Sequence, residues 1–184
     1  MVKTEHARPE RETDRLIVFT QNAEATGAEV LVRDGEDEVL ETVRTLIERE
    51  RAGSLVLAAF CGALPENLLH HLRTIAGGTT GPTREVAARC AIGLTDAIAG
   101  VVSSGSVVIP VDSGMVALVS LLVRHQVVVL EESRLLNRPS EAIEQFASDF
   151  VFVTGPSATA DMGALVRGVH GPHTMTIIVL RNRT

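Results

Sequence analysis

The alternation of apolar and polar positions divides the chain into a series of helices and strands. Asp14 to Thr26 mixes two signals: Leu16, Ile17, Val18 and Phe19 would suit a strand, while Gln21 to Ala25 and the closing Gly27 favour a helix. Glu29 to Val32 reads as a short strand. From Glu36 to Ala52, Val39, Leu40, Val43, Leu46 and Ile47 recur on one helical face. Glu36, Asp37 and Glu38 in its first turn and Arg49 and Arg51 in its last suit the helix dipole, and Gly53 ends it. Leu55 to Phe60 is an unbroken apolar run, as in a strand buried on both faces. Pro65 opens a helix with the stripe Leu68, Leu69, Leu72 and Ile75, since its missing N–H costs nothing in a first turn. Gly77 and Gly78 stop that helix.

Thr79 to Thr83 is a loop, and Val86 to Thr95 holds an element whose period does not separate helix from strand. Strands follow at Val107 to Val111, Val127 to Leu130, Phe150 to Thr154 and Thr174 to Leu180. Helices are expected at Gly114 to Val123 and Ser140 to Ala147. Strands alternating with helices, several of them all-apolar, predict an α/β fold. Its form is a three-layer, Rossmann-like, mostly parallel sheet with helices on both faces. Residues 1–13 form a charged tail expected to be disordered, and 14–184 a single domain.

Composition narrows the function. The 184 residues are 45% hydrophobic and 22% charged, the balance of a soluble globular protein. Arg124 and His125 interrupt the longest apolar run before it could span a bilayer. The charged N-terminus resembles no signal or transit peptide, so a cytoplasmic location and no membrane partner are expected. A net charge of −6 without a Lys/Arg cluster, and no Trp or Tyr, argue against a nucleic-acid partner. Lys3 is the only lysine, and it lies in the tail, so neither Schiff-base chemistry nor a P-loop is credible. Cys61 and Cys90 are single cysteines among apolar neighbours and read as buried structural thiols. No metal is expected: His170 and His173 lack a third ligand, and the adjacent His70 and His71 diverge by about 100° on a helix.

Two stretches rich in glycine and hydroxyls stand beside predicted strands. The first runs from Gly93 through Thr95 to Ser103, Ser104, Gly105 and Ser106; the second runs from Gly155 through Ser157 and Thr159 to Asp161, then on to His170 and Gly171. In an open α/β sheet, ligands bind beyond the carboxyl ends of strands. Because Gly155 to Asp161 follows a predicted strand directly, it is expected at that edge. Ser157 and Thr159 would there cap a helical turn or bind an anion; as caps and turn formers alone they would need no ligand. Asp161 and His170 are the candidate acid and base. Hydrolase elbows, a dinucleotide fingerprint and a cysteine cluster are missing from the sequence.

The second stretch, GPSATAD at Gly155–Asp161 followed by LVRGVHGP and a last apolar strand, resembles the signature end of the LUD (lactate-utilisation C) family. The first stretch agrees: Gly93, Thr95, Ala97, Gly105 and Ser106 fall in step with that family's G-I-T-x-A and A-E-T-G-T segments. The resemblance implies a fold like that of the NagB/RpiA/CoA-transferase group. It also implies a place in bacterial growth on L-lactate, where a C component accompanies two iron–sulfur proteins that together oxidise lactate to pyruvate. This chain would then carry no cofactor itself. Its partners would be those iron–sulfur subunits, and it would bind them or a small organic anion. The family's Glu is replaced by Ser103. Related CoA-transferases use a Glu in a similar motif to take the acyl group, and a serine cannot form that anhydride. The alternative is a free-standing CoA-transferase- or isomerase-like enzyme acting on an acyl or phosphorylated small molecule, with Asp161 and His170 as its acid and base.

Overall fold

The computed structural model describes residues 8–50, 56–77, 90–111, 115–161, 164–168 and 170–181. Its elements begin with α1 (Arg8–Ala25), β1 (Glu29–Asp34), α2 (Glu36–Arg49), β2 (Val56–Ala59) and α3 (Glu66–Ile75). Next come β3 (Ile92–Asp96), β4 (Ala99–Val101), β5 (Ser106–Pro110), α4 (Met115–Leu122) and β6 (His125–Glu131). A single 3₁₀ turn, Glu132–Arg134, leads to β7 (Leu135–Leu136) and α5 (Pro139–Gln145). The last elements are β8 (Phe150–Val153), β9 (Ala158–Asp161), β10 (Ala164–Arg167) and β11 (Thr174–Arg181).

The apolar strands assemble a five-stranded parallel sheet in the order β1-β11-β6-β3-β2. Its central strands need apolar residues on both faces because both faces are covered. On one side, Val39, Leu40, Val43 and Leu46 of α2 and Leu68, Leu69 and Leu72 of α3 bury Ile92, Leu94, Val127, Val129, Ile178 and Leu180. On the other, Leu57, Val128, Leu130, Ile177 and Val179 meet Phe19 of α1, Val116 and Val119 of α4, and Val107 and Ile109 of β5. The α/β architecture with helices on both faces is therefore as the periodicity predicts. Among the described residues no helix is long and apolar enough to cross a membrane.

The second face also carries a sheet that periodicity did not resolve. Strands β7-β4-β5-β8 form a separate four-stranded sheet, with β5 antiparallel to both β4 and β8. Phe150 to Thr154 thus supplies a strand as predicted, but in this sheet and not in the parallel one. A four-residue apolar run fixes how deeply a strand lies, not which neighbours it pairs with. Strands β9 and β10 make a hairpin. The ambiguous Asp14 to Thr26 is helical, and α1 begins at Arg8, so residues 8–13 extend a helix where a tail was expected. Val86 to Thr95 resolves as β3 at its end, with residues 86–89 outside those described.

Two positions show how tightly the layers are pressed together. A Cβ at Gly93 would stand 2.7 Å from both Val119 and Val123, so α4 reaches β3 only because Gly93 has no side chain. His125 lies under the end of α2, its Nδ1 3.6 Å from Glu50 Oε1. Burial holds its imidazole below the ordinary value, against the pull of Glu50 and Glu29. The unfolded chain therefore takes up this proton first, at about pH 6.5, and native stability is lost as pH falls below that value. Thermal melts from pH 7 to 5 should show a smaller loss in His125→Gln than in the unmodified chain. Gly93→Ala overpacks two stiff, buried valines and should lower urea-unfolding stability by about 1–3 kcal/mol.

Candidate functional site

The site is built where two turns meet the last turn of α1. The β4–β5 turn ends in Gly105, whose φ is +65° and whose added Cβ would lie 2.1 Å from Ala23 N; only glycine fits there. Asn22 donates its side-chain amide to Val102 O at 2.8 Å, fixing the same turn. After β8 the chain turns at Gly155, with φ +71°, where a Cβ would meet Thr26 Oγ1 at 2.6 Å. Both glycine turns therefore rest on one helix end. Three hydroxyls join them: Ser106 Oγ lies 2.7 Å from Ser104 Oγ and 2.7 Å from Thr154 Oγ1. Ser106 is 2% exposed, so this short chain runs into the interior at the start of β5.

The second stretch closes on itself. Ser157 N donates to Pro172 O at 2.9 Å, and Gly168 N donates to Ser157 O at 2.8 Å. A Cβ on Gly171 would stand 3.0 Å from Ser157 Cβ. Ser104, Gly105, Ser106, Gly155, Ser157 and Gly171 are thus brought near one another. They lie at the edge of the sheet opposite to the one expected. Thr26 precedes the start of β1, Pro172 precedes the start of β11, and His173 N donates at 2.8 Å to the carbonyl of Arg124, just before β6. These are the amino ends of the parallel strands. The reversal has a clear cause: the strand before Gly155 belongs to the antiparallel sheet, so its carboxyl end points the other way.

The other predicted residues are placed as follows. Ser157 leads into a strand, β9, and Thr159 lies in it, paired with Val166, so neither caps a helical turn, one of the two roles weighed for them. Ser103 is exposed on the β4–β5 turn, its N donating to Asn137 O at 3.1 Å. Gly93 and Thr95 lie in β3, Gly93 pressed under Val119 and Val123. Thr95 is fully buried with an unbonded hydroxyl, and the buried amide of Gln126, beside Gly93 in the register, is also unbonded. The backbone of Asp161 lies at the far end of the β9–β10 hairpin, where it pairs with Ala164. His170, exposed, lies at the hairpin's base, between the two residues that hold Ser157. At about 3.3 Å per strand residue, the hairpin separates the backbone at Asp161 from that base by ~13 Å. Among the described residues, no three His, Cys, Asp or Glu side chains come together as a metal site.

Beside the Gly155 turn lies a groove of about 430 Å³ between α4 and β8. Leu121 stands 50% exposed on one wall, with Val151 and Phe152 each 38% exposed on the other. Thr154 and Ser157 contribute hydroxyls, and none of the eleven lining residues is charged. Strand β8 is an edge of its sheet, bonded to β5 alone. Among the described residues the groove offers apolar contact and a strand edge but no cation to hold an anion.

At the carboxyl edge sits a feature the site prediction passed over. Asp96, fully buried, accepts from Cys61 N at 2.6 Å and Ala63 N at 2.7 Å, fastening the β2–α3 loop to β3. An acid inside the otherwise uncharged GLTDA run was its visible signal. Burial pushes the Cys61 thiol up to about 12, and the neighbouring Asp96 carboxylate adds to the effect by its charge and by hydrogen bonding. Alkylation of Cys61 at pH 8, followed by peptide mass mapping, should run roughly a thousandfold slower in the native chain than in urea, as its thiolate fraction dictates. Asp96→Asn turns an amide donor toward one of the two N–H groups and should cost about 1–3 kcal/mol of unfolding stability.

Comparison with known proteins agrees with this architecture. The LUD domain pattern matches residues 16–180. A lactate utilization protein C from Macrococcus caseolyticus is 33% identical over 110 residues, covering 54% of this chain and 48% of that protein. One from Halalkalibacterium halodurans is 34% identical over 110 residues, with the same coverage. The chain thus spans about half the length of the relatives it matches. The crystal structure of a DUF162-family protein from Deinococcus radiodurans superposes with a TM-score of 0.66 at 15% identity, covering 92% of this chain and 98% of that one. At that identity the likeness is one of fold. With the domain pattern running through nearly every described element, the chain belongs to the LUD-domain family.

Proposed function

We propose that the chain is a component of a bacterial L-lactate utilisation system and serves there as a partner-binding subunit. The relatives named lactate utilization protein C support the system. One observation favours docking of a partner over capture of a small anion. The groove between α4 and β8 is apolar, lies on a strand edge and, among the described residues, has no charged side chain in its lining. A lactate or pyruvate carboxylate would there lose its hydration with no cation to compensate. An extended segment of a partner could instead add to β8 while its side chains cover Leu121 and Phe152.

In this reading, the oxidation of lactate to pyruvate runs through iron–sulfur partner subunits. A cluster takes four thiolates, and this chain has only Cys61 and Cys90. The competing reading, a CoA-transferase- or isomerase-like enzyme, has less support. Ser103 offers an exposed hydroxyl where an acyl-accepting carboxylate would be needed, and Asp161 and His170 stand at opposite ends of a hairpin.

The test is co-expression with the iron–sulfur proteins of the same gene neighbourhood. The expected result is co-elution, weakened at least tenfold in affinity by Phe152→Arg, as for an interface hot spot of about 1.4 kcal/mol or more. Intact growth on L-lactate after gene disruption, with no iron–sulfur protein retained by the purified chain, would overturn the proposal. Stabilisation of the chain by an acyl-CoA or a sugar phosphate in thermal shift would favour the enzyme.

A further inference from the structure

Under the end of α2, side chains from four elements form one line. Glu50 caps α2, His125 opens β6, Thr176 lies in β11 and Glu29 opens β1. His125 Nδ1 lies 3.6 Å from Glu50 Oε1, and its Nε2 lies 2.9 Å from Thr176 Oγ1. The Thr176 hydroxyl in turn lies 3.0 Å from Glu29 Oε2, positioned to donate to it. Thr176 is 1% exposed, so the middle of the line is dry. Its far end opens into a second cleft, of about 400 Å³, between β1 and α2, which Glu29 helps to line. The parallel register explains the geometry: Glu29 is opposite Thr176, and His125 is opposite Thr174, one pleat away on the same face.

A count of protons shows what the line can do. Glu50 and Glu29, as carboxylates, only accept; Thr176 carries one hydroxyl proton and a neutral imidazole one N–H. These two protons must serve three contacts. If Thr176 donates to Glu29, His125 must donate to Thr176 through Nε2, leaving the bare Nδ1 lone pair against Glu50. If His125 donates to Glu50 through Nδ1, its Nε2 must accept from Thr176, and Glu29 loses its donor. A proton taken from solvent onto the imidazole fills all three contacts, because both ring nitrogens then donate and Thr176 must turn toward Glu29.

We propose that Glu50, His125, Thr176 and Glu29 form a proton-ordering relay, in which protonation of His125 locks the Thr176 hydroxyl toward Glu29, while the neutral ring leaves that hydroxyl two directions and so lets Glu29 be released to the cleft. No bond other than those to protons changes. Among the described residues, the charged groups around the relay come from α2 and β1. Helix α2 supplies Glu50 and, lining the cleft, Glu38, Glu41 and Arg49, while β1 supplies Glu29 and Arg33. Arg33 is held by the Thr42 hydroxyl at 2.6 Å and by the Val32 carbonyl. Strand β11 supplies the Thr176 hydroxyl, and Arg124 precedes His125 in the chain.

The experiment is an NMR titration of the full chain from pH 4 to 8, following the side-chain carboxyl carbon of Glu29 and the ring nitrogens of His125. Glu29 should show its own carboxyl step and a second inflection at the midpoint of His125. Thr176→Val, equal in shape and fit for a strand, should shrink the second inflection at least twofold while His125 still titrates. Thr176→Ser, which restores the hydroxyl, should retain it. A Glu29 signal without the second inflection, an inflection unchanged in Thr176→Val, or its loss in Thr176→Ser as well as Thr176→Val would each overturn the relay.

Discussion

The close approach of two turns to the end of α1 holds the two sheets in their relative places. Gly105 comes from the antiparallel sheet's central hairpin and lies against Asn22 and Ala23, and Gly155, from the turn after its edge strand, lies against Thr26. The helix is tied further by Asn22 near its end to Val102 O and by the Arg15 guanidinium at its middle to Leu135 O. One helix thus grips three parts of the second sheet while Leu16 and Phe19, on the same broad face, pack into the core between the sheets. Side chains at either glycine would force the sheets apart, and the groove between α4 and β8 would lose the turn that closes it.

This arrangement gives the two edges of the parallel sheet different characters. At the carboxyl edge a buried carboxylate is spent on fastening a loop, with a protonated thiol beside it. At the amino edge the hydroxyls bond to one another, and the described residues of the groove they adjoin carry no formal charge. Chemistry that needs a held anion is poorly served at this second edge. Contact with another protein, which needs apolar area and unpaired strand groups, is well served there.

Much of the fold was legible because burial leaves a periodic trace. The helical stripe Val39, Leu40, Val43 and Leu46 and the unbroken runs around Leu57, Val128 and Ile178 mark depth directly, and the parallel sheet follows from them. Pairing partners leave no such trace. Phe150 to Val153 looks the same in sequence whether it joins a parallel or an antiparallel sheet, and that single ambiguity moved the Gly155 turn from one edge to the other. The glycines of the candidate site were legible as special, but not why. Gly93 admits a helix, Gly105 and Gly155 admit a helix end, and Gly171 admits Ser157; the resemblance of motifs alone could not sort packing from binding. Asp161 and His170 were nine residues apart in sequence, and only the hairpin between them shows that this spacing separates rather than joins them.

The placement of β11 has a consequence for how the molecule is made. This strand, the last described element, sits between β1 and β6, and Arg181 forms an ion pair with Asp34 at 2.6 Å across 147 residues of chain. Until it arrives, β1 has no described strand to pair with and one edge of β6 is bare. The sheet therefore stays incomplete until β11 emerges, and that strand must enter a slot between two segments made before it. Such long-range closure is slow compared with local pairing. The interval before it is when the chain is most exposed to chaperones and proteases.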